Sequence, residues 1–129
     1  IDNTNLRILV VDDEPDLRES LTIRFESLGF AVSSAADGRE AVEIARTGYP
    51  DCIILDLDMP ILNGFGTLKK LSTDPLTADI PVIILTASSD TMDKLVTRNF
   101  GVRGYAVKPC DHARLTEQVL QVCEDAVLT

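Results

Sequence analysis

Apolar segments of strand length alternate with segments of helical periodicity five times along this chain of 129 residues. The strand candidates are residues 6–11, 30–34, 52–55, 82–85 and 104–107. The first, third and fourth are rich in Val, Ile and Leu, which is typical of parallel strands covered on both faces. A strict repetition of strand and helix with short connections predicts a parallel sheet with helices on both sides. The sequence therefore predicts one doubly wound α/β domain.

The first two predicted helices have recognisable ends. Pro15 suits the first turn of the first helix, and Gly29 is expected to end it. Asp37 followed three residues later by Glu40 predicts a reciprocal capping box at the start of the second helix. We expect Gly48 to close that helix.

The other helices are predicted from the spacing of their apolar residues. Gly101 follows the fourth helix, and Asp111 is the expected N-cap of the fifth. The positions expected to face the core are Leu17, Leu21, Phe25 and Leu28; Phe65, Leu68 and Leu71; Met92, Leu95, Val96 and Phe100; and Leu115, Val119, Val122 and Ala126. Because no linker or repeat interrupts this pattern, we expect a single domain over residues 1–129, with its core at about 6–127.

Composition excludes several functional classes. The formal net charge of −9 would repel phosphate backbones, so we expect no direct binding of nucleic acid. No apolar run approaches the roughly 20 residues that span a bilayer, so we expect no membrane segment. The three cysteines, Cys52, Cys110 and Cys123, have no C-x-x-C spacing and suit a reducing, cytoplasmic setting rather than disulfides or zinc.

Chemically reactive side chains stand where the predicted strands end. In an open parallel sheet these ends form one rim, which is where such folds bind ligands. In chain order, the residues at the strand ends are Asp12 and Asp13, then Asp56 and Asp58, then Thr86, then Lys108. The sequence thus predicts a cluster of carboxylates with one hydroxyl and one ammonium group.

Such a cluster suits phosphoryl chemistry. Crowded carboxylates need a compensating cation or a raised pKa, and Mg²⁺ binds carboxylate oxygens while keeping positions for water and phosphate. A carboxylate beside the metal can act as a nucleophile and form an aspartyl-phosphate. A hydroxyl and an ammonium group can then stabilise charge on the phosphoryl oxygens.

Four motifs resemble those of response-regulator receiver domains. They are LVVDDE at 9–14, LDLDMP at 55–60 with Asn63-Gly64, LTA at 85–87, and GYAVKP at 104–109. Their order and spacing match that family over residues 6–127. The resemblance implies a flavodoxin-like (βα)5 sandwich whose five parallel strands have the order 2-1-3-4-5.

The resemblance also implies a metal site and a phosphoacceptor. Asp56 would accept the phosphoryl group and ligate Mg²⁺, for which Mn²⁺ would substitute. Asp13 would hold the metal directly and Asp12 partly through water, and Asp58 would contribute its backbone carbonyl. The donor would be a histidine kinase or a histidine phosphotransfer protein in the cytoplasm. We expect no enzyme activity beyond the domain's own phosphoryl acceptance and slow autodephosphorylation.

The same resemblance implies a conformational switch. Thr86 and Lys108 would bind the phosphoryl oxygens, with the Lys108-Pro109 bond in the cis form. Tyr105 would reorient when Thr86 moves and change the face formed by the fourth helix, the fifth strand and the fifth helix. Gly64, with Pro60, would shape the loop after the acceptor by adopting a backbone conformation that other residues resist. The resemblance leaves open whether the domain is a stand-alone regulator or part of a larger regulator or hybrid kinase, and any output domain would lie outside residues 1–129.

Part of that face departs from the family pattern. Arg103 and Gly104 precede the switch tyrosine, where many receivers carry acidic residues, and Cys110 stands where many carry a large apolar residue. We therefore do not carry over the dimer contacts of DNA-binding regulators, and we expect a monomer or a differently arranged dimer.

Each site residue also has an ordinary structural explanation. The aspartates could be helix caps or turn residues, Thr86 a β-branched strand end, Lys108 a solvated lysine and Tyr105 a partly buried structural tyrosine. Their joint occurrence on four strand ends favours a functional site. We expect His112, the only histidine, to be an exposed residue in the first turn of the fifth helix.

Three other functions remain as alternatives. The segment ending in Asp56-Leu57-Asp58 resembles the nucleophile motif of haloacid-dehalogenase-type phosphatases, although Asp12 and Asp13 come too early for that motif order. A flavin-binding module would need a Ser/Thr/Gly-rich phosphate loop after the first strand, where this chain carries acidic residues. A receiver-like domain used only for protein contacts would not need its full set of reactive residues.

Overall fold

The computed structural model describes residues 6–59, 64–87, 100–109 and 111–128. The strands are Arg7–Val11 (β1), Ala31–Ala35 (β2), Cys52–Asp56 (β3), Val82–Thr86 (β4) and Val102–Val107 (β5). The described helices are Pro15–Ser27 (α1), Gly38–Gly48 (α2), Gly64–Thr73 (α3) and His112–Leu128, called here the last helix. Each strand lies within two residues of its predicted position. The fourth predicted helix, with Met92, Leu95 and Val96, lies outside the described residues.

All five strands are parallel and have the order β2-β1-β3-β4-β5, as predicted. The register pairs Val11 with Leu55 and Asp56 with Leu85. The three central strands consequently end at the same edge of the sheet, and the residues after β1 and β3 become neighbours. None of the described helices has the length and apolarity needed to cross a lipid bilayer.

Alternate residues of each central strand bury opposite faces of the sheet. Leu9 and Ile53 belong to one buried cluster, which α2 and α3 cover. Ile8 and Ile54 belong to the other, which α1 and the last helix cover. Each fully buried aliphatic side chain contributes about 1.5–3 kcal/mol through the hydrophobic effect. Burial on both faces explains why the central strands carry unbroken apolar sequence.

The apolar stripes of the helices are largely as predicted. Leu21, Phe25, Leu68, Leu71, Leu115 and Val119 are buried. Leu28 is 37% exposed, contrary to prediction, because α1 ends at Ser27 and Leu28 is already its C-cap. Cys123 is buried beside the predicted Val122, which is only partly buried. The side chain of Ala126 lies outside the described part.

The helix ends confirm some predictions and correct others. Asp37 caps α2 by accepting a hydrogen bond from Glu40 N–H at 2.9 Å. The reciprocal bond to Glu40 Oε2 comes from Ala36 N–H at 3.5 Å, and not from Asp37 as a capping box requires. Tyr49, and not Gly48, adopts the left-handed conformation at the end of α2, with φ 48°. Tyr49 precedes a proline, which disfavours the right-handed helical region.

Two features at the other helix ends were predicted correctly. Gly29 follows α1 with φ 96°, a conformation that glycine adopts without steric cost. Asp111 caps the last helix by accepting a hydrogen bond from Ala113 N–H at 2.9 Å.

His112, in the first turn of that helix, is partly buried, whereas we expected it to be exposed. The Lys108-Pro109 peptide bond is cis, as the resemblance implied.

Candidate functional site

Three carboxylates meet at the rim where β1 and β3 end. Asp12 directly follows β1 and is fully buried, Asp56 is the last residue of β3 and is 1% exposed, and Asp13 faces solvent. One oxygen from each lies within 4.8 Å of the others. The parallel register of β1 and β3 produces this proximity, as predicted from the strand ends.

Asp12 is fixed by several hydrogen bonds. Its Oδ1 accepts from Glu14 N–H at 2.9 Å, its N–H donates to Ala35 O at 3.2 Å, and its carbonyl accepts from Arg18 Nη1 at 2.8 Å. The remaining carboxylate oxygen, Oδ2, lies 3.3 Å from Lys108 Nζ. One oxygen is therefore used to hold the loop, and the other points into the site.

The two carboxylate oxygens of Asp56 also have different partners. Its Oδ1 accepts from Asp58 N–H at 2.9 Å, and its Oδ2 lies 3.1 Å from Lys108 Nζ. Burial raises the pKa of the Asp56 carboxyl to about 6, and the charge of Asp12 acts in the same direction. The Asp58 N–H bond and Lys108 partly oppose that rise. A nucleophilic carboxylate at neutral pH is consistent with this value.

Lys108 bridges the two buried carboxylates. It directly follows β5, and its N–H donates to Thr86 O at 2.7 Å, which extends the β4–β5 pairing into the site. Burial alone would lower the pKa of Lys108, but the hydrogen bond and charge of Asp56, together with Asp12, outweigh it and raise the pKa. The ammonium group therefore stays charged beside the carboxylates.

The donor set fits a hard divalent cation. Among the residues that the structure describes, three carboxylates lie beside one ammonium group, which leaves an excess of negative charge there. The Oδ2 atoms of Asp12 and Asp56 are buried and lie 3.3 and 3.1 Å from Lys108 Nζ. Oxygen ligands with solvent access through Asp13 are what Mg²⁺ prefers. These residues fit the predicted metal, and Asp58 is not part of the three-carboxylate cluster.

The side chain of Asp58 makes contacts that sequence analysis missed. Its Oδ1 accepts from Thr86 Oγ1 at 3.1 Å, and its Oδ2 accepts from Ala87 N–H at 2.7 Å. Only the backbone carbonyl of Asp58 was expected to matter. Because Asp56 is in register with Leu85, residues 58 and 87, each two positions further along, lie close to each other beyond the strand ends. The predicted pairing of β3 with β4 could have revealed this contact.

The sequence model of the response regulator receiver domain matches residues 8–120, which include the whole of this site. The chain belongs to the response regulator receiver family. Nothing in the comparisons supports the phosphatase alternative.

Known relatives agree with that assignment. The receiver is 39% identical to protein PilH of Pseudomonas aeruginosa over 113 residues, which are 88% of this chain and 93% of PilH. It is 37% identical to the DNA-binding dual master transcriptional regulator RpaA of Synechocystis over 113 residues, again 88% of this chain but 47% of RpaA. The receiver spans about half the length of most curated relatives it matches.

Solved structures share the fold closely. The chemotaxis protein CheY4 of Vibrio cholerae has a TM-score of 0.86 at 30% identity, covering 91% of this receiver and 98% of that chain. The receiver domain of the Francisella response regulator 1452 has a TM-score of 0.87 at 31% identity, covering 95% and 99% of the two chains.

Thr86 and Tyr105, the predicted switch pair of this receiver, lie on one face of the sheet. Thr86 is buried at the end of β4, and Tyr105 is partly buried on β5 opposite Ile84, two residues before Thr86. The backbone of Tyr105 is also tied to the last helix. Its N–H donates to Gln118 Oε1 at 3.2 Å, and its carbonyl accepts from Gln118 Nε2 at 3.4 Å.

Gly64 lies against the backbone that follows β3. A Cβ at this position would overlap Leu57 Cα and would lie 2.7 Å from Asp56 O. The start of α3 therefore packs so closely on the backbone of Asp56 and Leu57 that a side chain larger than that of glycine would clash there. That Gly64 adopts a backbone conformation which other residues resist stays a prediction. Pro60, Asn63 and Cys110 lie outside the described residues.

Proposed function

We propose that this receiver accepts a phosphoryl group on Asp56 from a phosphohistidine donor, with Mg²⁺ held at the same rim. The observation that carries the proposal is the buried Asp56 carboxylate, which lies beside Asp12, Asp13 and the Lys108 ammonium. We infer that residues 1–129 form the single receiver domain, whose donor is a cytoplasmic histidine kinase or histidine phosphotransfer protein.

The transfer needs a positioned, ionised nucleophile. The N–H of Asp58 orients the Asp56 carboxylate by binding its Oδ1. The P–N bond of the donor breaks, a P–O bond to Asp56 forms, and the donor imidazole leaves as the neutral ring after taking up one proton from water. Phosphoryl transfer depends mainly on such positioning and on neutralising charge.

Charge neutralisation is divided among the residues at the rim. Asp12 and Asp13, with Asp56 and the Asp58 carbonyl, would hold Mg²⁺, which when bound supplies positive charge to the carboxylates and the phosphoryl oxygens. Lys108 contributes a second positive charge from 3.1 Å. A hydrogen bond from Thr86 to a phosphoryl oxygen would draw its hydroxyl towards Asp56.

We further propose that this movement of Thr86 is the output step. Space vacated by the Thr86 hydroxyl would admit the Tyr105 ring, and the exposed surface of β5 and the last helix would change for a partner or an output domain. A local charge event biasing a two-state element is a common form of switching. The domain would act on no separate substrate and would turn over only its own aspartyl-phosphate.

Intact-mass measurement after incubation with acetyl phosphate and Mg²⁺ tests the acceptor. Wild type should gain one phosphoryl group, and Asp56→Asn should gain none. Asp13→Ala should lose both Mn²⁺ binding and modification. Equal modification of wild type and Asp56→Asn would refute the assignment of Asp56.

A further inference from the structure

The Asp58 carboxylate connects the loop after β3 to the end of β4. It accepts hydrogen bonds from the Thr86 hydroxyl at 3.1 Å and from Ala87 N–H at 2.7 Å. We propose that this carboxylate is an internal competitor of the phosphoryl group, occupying donors at the rim until Asp56 is modified. The proposal rests on the proposed function of Asp56.

Competition follows from the number of protons available. A threonine hydroxyl carries one proton, and Ala87 has one N–H, so neither can serve Asp58 and a phosphoryl oxygen fully at the same time. Both acceptors are anionic oxygens, and a carboxylate bond to such donors is of the strong, charge-assisted kind. Modification of Asp56 therefore has to displace Asp58 from Thr86.

Displacement is feasible because Asp58 is exposed. Its side chain can turn into water and be hydrated there, whereas Asp56 is 1% exposed and fixed by Asp58 N–H. The backbone of Asp58 keeps that N–H bond when the carboxylate leaves. One residue thus orients the acceptor through its backbone and restrains the switch through its side chain.

Charge strengthens the same effect. The Asp58 carboxylate adds negative charge near the three-carboxylate cluster and would repel an incoming phosphoryl group. Removing it frees two donors and lowers that repulsion. A residue that only shaped the loop would alter stability without changing the relative affinity for a phosphoryl analogue.

The experiment is a titration with beryllofluoride, which is an analogue of the phosphoryl group. Each variant is kept at a Mg²⁺ concentration that saturates its metal site, as measured by competition with Mn²⁺. Wild type, Asp58→Ala, Asp58→Asn and Glu14→Gln are compared by NMR. Glu14 is the matched control, since it is an exposed acidic residue beside Asp13, whereas the donors Thr86 Oγ1 and Ala87 N–H bind Asp58.

We expect Asp58→Ala to lower the Kd for beryllofluoride by about threefold to thirtyfold, the range for releasing charge-assisted hydrogen bonds at an exposed position. Asp58→Asn should fall between wild type and Asp58→Ala, because its amide oxygen still accepts from Ala87 without the charge. Glu14→Gln should stay within about twofold of wild type. Without ligand, the Ala87 amide proton should shift upfield in Asp58→Ala.

Three results would overturn the proposal. The first is an unchanged or higher Kd in both Asp58 variants while Asp56 still binds beryllofluoride. The second is an equal gain in Glu14→Gln, which would show a general charge effect. The third is a wild-type protein that binds no beryllofluoride. This result would also refute the proposed function of Asp56, and the wild-type titration alone distinguishes it from the other two.

Discussion

The Lys108 ammonium lies 3.1 Å from Asp56 Oδ2 and 3.3 Å from Asp12 Oδ2, so one cation joins the ends of three strands. Its own side chain is 18% exposed. A phosphoryl group on Asp56 would meet a positive charge already in place. In the proposed function, Lys108 both lowers the pKa of Asp56 and offers positive charge to the phosphoryl group.

Lys108→Gln should raise the pKa of Asp56 above about 6, because a group that lowers it is removed. Modification by acetyl phosphate should slow by about tenfold to a hundredfold through the loss of charge stabilisation. A ¹³C NMR titration of the Asp56 carboxyl carbon and intact-mass kinetics measure the two effects. Lys70→Gln, an exposed change on α3, is the control and should alter neither.

Asp56→Asn should stabilise the fold at neutral pH. The folded pKa of about 6 lies above the unfolded value of 3.8, so the folded state binds the proton more tightly and stability falls as pH rises between the two values. At pH 7.5 the ionised carboxylate therefore costs stability, on the order of 1–3 kcal/mol. At pH 4 the folded carboxyl is protonated and the unfolded one is roughly half protonated, so most of the gain should disappear.

Urea unfolding at pH 7.5 and pH 4 measures this difference, without added metal. Asp16→Asn, at an exposed position in the first turn of α1, is the matched control and should change stability by less than about 0.5 kcal/mol. A destabilised Asp56→Asn at pH 7.5 would mean that the ionised Asp56 carboxylate stabilises the fold and is a structural residue.

Gly64→Ala should destabilise the domain by about 2–4 kcal/mol, because the new Cβ would clash with the backbone of Leu57 and Asp56, which shifts less easily than the end of a side chain. Gly48→Ala in α2 is the matched control. Its Cβ would meet only Ile44 Cγ2 at 3.9 Å, and alanine should gain about 0.5–1 kcal/mol there. Thermal unfolding compares them, and equal effects would contradict the steric explanation.

Gly104→Ala should weaken the attachment of β5 to the last helix. The added Cβ would lie 2.5 Å from Gln118 Oε1, displacing the amide that binds both backbone groups of Tyr105. We expect a loss of about 1–2 kcal/mol. In Gln118→Ala the same glycine change should cost less, since the obstructing atom is gone. A double-mutant cycle by urea unfolding tests this, and simple additivity would argue against coupling.

Sequence periodicity predicted the bounds of every strand to within two residues of those in the structure. It also predicted that the site residues lie together at the edge where the strands end. It succeeded because burial on both faces imposes unbroken Val, Ile and Leu on β1, β3 and β4, and because parallel strands bring their carboxyl ends together. It failed for Leu28 and Tyr49, where the helix end and the following residue, and not the apolar spacing, decide exposure and backbone conformation.

The sequence by itself determined the α/β class, the strand positions and the candidate residues Asp12, Asp13, Asp56, Thr86 and Lys108. Only the tertiary structure decided which hydrogen bonds and steric contacts the residues around them make. The Asp58 carboxylate binds Thr86 and Ala87, and Gly64 is pressed against Leu57, through contacts set by the packing of β3, β4 and α3. Hydrogen bonds and steric contacts depend on distances of a few ångströms, which local sequence patterns do not encode.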